Sequence, residues 1–250
     1  MDRIGKYQYH VESFHLDCTE RLSLSVLGNQ LLNAAARHAE SLGYGRESMR
    51  RQGLAWVFSR LAIHMQEYPR EFDDYTIATW VASVSRSFST RCFAVVRPDG
   101  TLIGTAQSVW AILDLTQRTS VAIADVLPAY ADSTAEATPY DAFLPAETPR
   151  RVRVQADEPL LRFRPLFCDM DYNGHFSSIR YIEHFLDAIP LEEYRQRPVR
   201  SIELAYSTEC HYGEPLAIYA VHPTSDDYYL ELRSDTAPSA TPSCRCHIAF

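Results

Sequence analysis

The chain has almost no lysine: 23 of its 24 basic residues are arginine. It also lacks any Cys-x-x-Cys pair, any stretch of about 18 apolar residues, and any apolar run near its start resembling a secretion signal. The missing apolar stretch excludes a membrane-spanning helix, and with no leader segment the expected compartment is the cytoplasm. Six cysteines at 18, 92, 168, 210, 244 and 246 are scattered without zinc-knuckle spacing, so reduced thiols are expected, with neither metal nor other cofactor. A net charge of −8 disfavours nonspecific binding to nucleic acid or to an anionic membrane. An acidic partner would therefore need a local patch of arginine, whose planar fork suits phosphate and carboxylate. Arg150, Arg151, Arg153, Arg162 and Arg164 form one sequence cluster and Arg195, Arg197 and Arg200 a second; solvated linker charge explains them equally well.

What is present is a globular composition, 46% hydrophobic and 22% charged, with aromatics at 12%, enough to line a core or an apolar ligand pocket. Leu24, Leu27, Leu31, Ala34, Ala35, His38 and Leu42 recur at helical spacing, predicting one long helix that ends near Gly43. Strand-like runs follow at 55–65, 75–85, 90–97 and 101–113, with Pro98-Asp99-Gly100 as a tight turn. The plan then repeats. Ile179, Ile182, Leu186 and Ile189 predict a shorter helix, followed by strand-like runs at 201–210, 215–221, 228–232 and 243–250. The expected class is α+β, two halves each built as a long helix wrapped by a curved antiparallel sheet. Domains are placed at 1–126 and 159–250, with a Pro- and Ala-rich linker at 127–158.

Just ahead of the second helix stands Cys168-Asp169-Met170-Asp171-Tyr172-Asn173-Gly174-His175. Asp169, Asp171, Asn173 and Gly174 fit the opening of a calcium loop, but the position that needs a bidentate glutamate is Arg180. Helix capping is the blander reading of Asp171 and Asn173. Laying Ser23–Leu27 over His175–Ile179 puts Thr19, Arg21 and Ser23 opposite Asp171, Asn173 and His175, which suggests that the fold itself does not demand the second-half residues. A second cluster, Glu209-Cys210-His211, ends the run 202–208. Cys210 there is either a buried hydrophobe or a nucleophile with His175 as its base.

These residues resemble the acyl-ACP thioesterases of plants and bacteria. Asp169-Met170-Asp171-Tyr172-Asn173-Gly174-His175 and Tyr206-Ser207-Thr208-Glu209-Cys210 match two family segments in order and spacing. Leu54–Arg60, Glu67-Tyr68-Pro69, Thr79-Trp80-Val81 and Ser108-Val109-Trp110 are similar to others. The resemblance implies a tandem, or double, hot-dog fold and hydrolysis of acyl carrier protein (ACP) thioesters, ending fatty-acid elongation. Its catalytic positions become Asp171, Asn173, His175, Glu209 and Cys210. For a thioester carbonyl the expected mechanism is that Glu209 and His175 activate water, Asp171 orients His175, and Asn173 with helix N-terminal amides holds the carbonyl, direct attack by Cys210 being the alternative. Trp56, Phe58 and Trp80 are candidate lining for the acyl chain, though core packing accounts for them too. Acyl-ACP is the expected partner, and a homodimer is compatible with the sequence. The nearest rivals are an acyl-CoA thioesterase or a hot-dog dehydratase, and a rival of another class is a non-enzymatic acyl-binding protein.

Overall fold

The computed structural model describes residues 2–141, 154–237 and 241–250. The chain forms two compact units, Met1–Ala146 and Glu147–Phe250. Their boundary falls inside the stretch expected as linker. That stretch is not featureless at its start: a 3-10 turn at Pro128–Ser133 buries Tyr130, and the Ala135 N–H donates to the Val81 carbonyl. Residues 142–153 of the expected linker, with Arg150, Arg151 and Arg153, lie outside the described residues.

The first unit begins with a strand the periodicity did not predict, β1 (Ile4–His10), then α1 (Leu24–Ser41), a one-turn-and-a-half helix α2 (Arg46–Arg51), and four long strands β2 (Leu54–Met65), β3 (Asp74–Val84), β4 (Ser89–Val96) and β5 (Leu102–Asp114). A short β6 (Thr119–Val121) and α3 (Ile123–Val126) follow. The antiparallel order is β1-β3-β4-β5-β2, with β6 on β5. Register shifts at Phe58/Arg60 and Val81/Ser83 bend the strands. The predicted turn at Pro98-Asp99-Gly100 is present: Gly100 takes φ 90°, and Asp99 Oδ1 accepts the Thr101 N–H at 2.9 Å.

α1 forms where expected because its apolar stripe is continuous. Leu27, Leu31 and Ala34 are fully buried, each leucine contributing about 1.5–3 kcal/mol by leaving water. His38 continues the stripe and is buried too. Its Nδ1 accepts a hydrogen bond from Arg91 on β4 at 2.8 Å, so its proton sits on Nε2, facing the Asp2 carbonyl at 3.2 Å. Arg91 is itself buried and also donates to Thr79 at 3.3 Å, with no carboxylate partner among the described residues.

Burial first, and the Arg91 charge second, hold the His38 pKa below its ordinary value. The group's folded pKa being the lower one, its contribution is complete above the unfolded value of about 6.5 and is lost as pH falls below that. The expected result is a denaturation midpoint that drops between about pH 7.5 and pH 5, and drops less in His38→Gln, as thermal melts across that range would measure.

The second unit contains β7 (Leu161–Phe163), α4 (Arg180–Asp187), α5 (Leu191–Gln196), β8 (Ser201–Tyr206), β9 (Leu216–Val221), β10 (Asp227–Ser234) and β11 (Cys244–Ala249). Its sheet runs β8-β11-β10-β9-β7 and is antiparallel throughout. The last strand is interior, paired with both β8 and β10. The buried face of α4 is Tyr181, Ile182 and Phe185, while Leu186 is only half-buried, so aromatic residues carry packing that the aliphatic pattern had assigned elsewhere.

Arginine's fork has structural employment here. Arg233 donates through Nε and Nη2 to the buried Glu231, which also takes Arg245, and Arg233 Nη2 reaches the Val154 carbonyl at 2.6 Å. Of the sequence clusters, Arg162 pairs with Glu158 and Asp235, Arg195 with Glu192, and Arg197 with Glu193 and Asp226. These charges are neutralised locally.

Candidate active site

Residues 170–176 fold as a tight hairpin ahead of α4. The Asp171 N–H donates to the His175 carbonyl at 2.8 Å, the Gly174 N–H donates back to the Asp171 carbonyl at 3.0 Å, and Met170 and Phe176 form an antiparallel bridge. Gly174 supplies the left-handed residue at φ 79°. The Asp171 carboxylate stabilises this turn from inside. Oδ1 accepts the backbone N–H of Asn173 at 2.8 Å and of His175 at 3.1 Å, while Oδ2 accepts from Asn173 Nδ2 at 3.3 Å. One edge of the hairpin is tied across the unit: the Phe176 N–H donates to the Cys210 carbonyl at 2.8 Å.

That single backbone bond brings together the two motifs that lie apart in sequence. The His175 imidazole, about a quarter exposed, places Nε2 at 3.4 Å from Oε2 of Glu209, which is about half exposed. His211 adds an edge-on ring contact to His175 at 5.5 Å. Cys210 points the other way. Its thiol is fully buried, hydrogen-bonded to Tyr181 and Ser243, and burial raises its pKa. Neither Tyr181 nor Ser243 was singled out by sequence, because each sits in ordinary core or turn patterning with no motif around it.

Two expectations change here. α4 starts at Arg180, so His175 does not open the helix directly. The N–H groups of residues 173 to 177 are all engaged: Asn173 and His175 with Asp171 Oδ1, Gly174 with the Asp171 carbonyl, Phe176 with Cys210 and Ser177 with Asp169. These hairpin N–H groups are not free to hold a substrate oxygen, whereas the exposed Asn173 side chain still has one N–H to donate.

The overlay of the halves also changes register. In the first unit residues 16–22 repeat the same hairpin: Asp17 N–H to Arg21 carbonyl at 2.8 Å, Glu20 N–H to Asp17 carbonyl at 3.0 Å, a Leu16–Leu22 bridge, and Leu22 N–H to the Pro69 carbonyl at 3.0 Å. Asp17 Oδ1 accepts the Thr19 N–H at 2.7 Å. The counterparts of Asp171, Asn173 and His175 are therefore Asp17, Thr19 and Arg21, and Tyr68 and Pro69 stand for Glu209 and Cys210. The aspartate is retained in both loops. What differs is everything else in the set.

Trp56, Phe58 and Trp80 all lie in the first unit, in separate packing environments. Trp56 donates Nε1–H to the Tyr44 carbonyl at 3.0 Å and packs with Tyr130. Phe58 meets Trp110 at 4.7 Å, and Trp80, fully buried, stacks on Tyr140 in a cluster with Ala78, Cys92, Ala94 and Val96.

Among the described residues no helix is long and apolar enough to cross a membrane, and no group of three His, Cys, Asp or Glu side chains is arranged to hold a metal. Two family models cover nearly the whole chain: the acyl-ACP thioesterase N-terminal domain over residues 4–130 and the C-terminal domain over 152–249. An acyl-ACP thioesterase from Bacteroides thetaiotaomicron is similar in structure with a TM-score of 0.87 and 35% identity, covering 99% of this chain and 98% of that one. The oleoyl-acyl carrier protein thioesterase 2 of Arabidopsis thaliana is 25% identical over 97% of this chain and 69% of its own length. An acyl-[acyl-carrier-protein] hydrolase of Cuphea viscosissima is 24% identical over 90% of this chain, which spans 57% of that relative. On these matches, and with both motifs meeting in one unit, the chain belongs to the acyl-ACP thioesterase family, hydrolases of the bond between an acyl chain and its carrier protein.

Proposed function

We propose that this chain hydrolyses fatty acyl-ACP to free fatty acid and ACP on its C-terminal unit, with water as the nucleophile. The observation that carries the reading is the approach of His175 Nε2 to Glu209 Oε2, two groups from distant segments joined by the bond between Phe176 and Cys210. A thioester carbonyl is a good electrophile, so the chemistry required is a base for water, a donor for the developing oxyanion and an acid for the departing thiolate. Glu209 and His175 together activate the water, whose proton ends on the imidazole as its oxygen bonds to the carbonyl carbon. Asn173 Nδ2–H donates to the oxyanion. When the C–S bond breaks, the imidazolium returns its proton to the leaving sulfur.

Asp171 acts through the loop: its carboxylate partners are Asn173 and the backbone of His175, and the imidazole is not among them. The buried Cys210 thiol, held protonated by its surroundings, supports the water route over a covalent acyl-enzyme. Each unit's helix and antiparallel sheet are consistent with a tandem hot-dog, and the cytoplasmic location is likewise a proposal, the plant relatives being named chloroplastic.

The test is release of fatty acid and free carrier thiol from palmitoyl-ACP by the intact chain, in equal amounts. Cys210→Ala is expected to keep turnover within about threefold of the parent, since only packing and two weak sulfur hydrogen bonds are lost. A covalent route would cost several orders of magnitude instead. Tight binding of the acyl chain with no thiol released would replace the hydrolase reading with a binding protein, and enoyl product with a dehydratase.

A further inference from the structure

Asp169 opens the acidic motif yet is outside the reactive set. Its carbonyl accepts the Ser177 N–H at 2.8 Å, so it closes the base of the hairpin that carries Asp171, Asn173 and His175. Its carboxylate does two things. Oδ2 accepts the Leu166 N–H at 2.8 Å, and Oδ1 lies 3.3 Å from Nε2 of His184 on α4. Both side chains are largely enclosed, 18% and 19% exposed. The His184 ring is stacked on Phe163 at 4.0 Å and meets Phe176 edge-on at 5.4 Å. Phe176 follows His175 directly and is the residue bonded to Cys210. A chain of contacts thus runs from the base of the hairpin, through His184, to the point where the imidazole and the Glu209 segment are joined.

The loop in the first unit shows what this pair is not needed for. His15 takes the place of Asp169 there: its carbonyl accepts the Ser23 N–H at 2.9 Å, and its Nδ1 accepts the Glu12 N–H at 3.0 Å. Closing and capping the hairpin therefore require an acceptor at this position, and an imidazole suffices. A carboxylate is required only where a second imidazole must be held. The pair occurs in the loop that carries Asn173, His175 and Glu209, and its counterpart is missing from the loop that carries Thr19, Arg21 and Tyr68.

We propose that Asp169 and His184 are a positioning pair for the hydrolysis, fixing the hairpin base against α4 so that the His175 imidazole stays within reach of the Glu209 carboxylate. The proposal rests on the reading of His175 and Glu209 as the reactive groups. His184→Phe retains the ring that packs on Phe163 and removes the donor. A loop free to shift by an ångström loses alignment with the substrate carbonyl, so kcat on palmitoyl-ACP should fall about tenfold to a hundredfold with KM nearly unchanged. His184→Gln, which restores an N–H donor, should recover most of that loss. Asp169→His copies the first unit's solution and keeps the cap, yet should lose kcat as His184→Phe does, and the double variant should be no slower than the slower single one.

The parent enzyme is assayed alongside. A parent without hydrolase activity removes the reading of the site itself. An active parent with His184→Phe or Asp169→His at parental kcat overturns the pair alone, as would additive losses, no recovery by His184→Gln, or KM and kcat changing in parallel. Where His184→Phe does not fold, the Asp169→His comparison decides by the same readout.

Discussion

Replacing His175 with alanine is expected to lower kcat on acyl-ACP by roughly 10²–10⁴-fold while leaving the melting temperature close to that of the parent. The imidazole is partly exposed, and its side-chain contacts are with Glu209 and the His211 ring, so its removal opens no core cavity. What disappears is the group that accepts the water's proton and gives one to the leaving sulfur. Glu209→Gln should fall in the same range, since the amide keeps the shape but cannot take a proton. Steady-state release of fatty acid, read beside a thermal melt, separates this from unfolding. Parental turnover in His175→Ala would remove the site assignment.

The second large effect concerns Asp171, and its size depends on what replaces it. Both backbone N–H groups that the carboxylate accepts, those of Asn173 and His175, end on one oxygen, Oδ1. Asparagine keeps that oxygen, and alanine does not. Asp171→Ala leaves two loop N–H groups without their acceptor, each hydrogen bond to a charged group being worth about 1.5–3 kcal/mol, and kcat should collapse by at least about 10²-fold as the imidazole loses its place. Asp171→Asn should retain turnover within about tenfold of the parent, losing chiefly the contact with Asn173 Nδ2. Kinetics of the two variants side by side discriminate the roles: an aspartate needed for its charge beside the imidazole would make both equally dead.

The parts of the fold that were legible in sequence are those where one physical rule acts alone. α1 could be read because Leu24, Leu27 and Leu31 face one core at helical spacing, and β2 to β5 because long runs of Val, Ile, Thr and aromatics are buried between neighbours. β1 escaped because its side chains are half-buried or exposed along an edge, so composition carried little signal. α4 was read in part: Ile179, Ile182 and Ile189 are buried as the spacing required, but Tyr181 and Phe185 share the packing with Ile182, and aromatic residues fit helical and extended patterns alike. The proposed reactive set was legible through its motif, and the fold brings His175 and Glu209 together.

Its internal logic was not legible. The equivalence of the two loops is written in backbone hydrogen bonds, and of the paired side chains in the turn only Asp17 and Asp171 are alike. Apolar patterning aligned Ser23 with His175, whereas the hydrogen bonds align Arg21 with it. That misalignment hid the aspartate's true status. Once the register is right, an acid that looked particular to the chemistry is seen to be common to both turns. The burial of Cys210 and the partnership of His184 with Asp169 depend on tertiary contacts that no local spacing encodes.

The two matching hairpins have an evolutionary reading. A duplicated turn whose geometry is guaranteed by one aspartate and by main-chain bonds can exchange its remaining side chains without losing its shape, as Thr19, Arg21 and Tyr68 stand where Asn173, His175 and Glu209 do. Selection for foldability and selection for reactivity thereby act on different atoms of the same short peptide. On the proposed assignment one copy carries the reactive set, while the other, equal to it in backbone shape, is a scaffold on which such a set could be rebuilt.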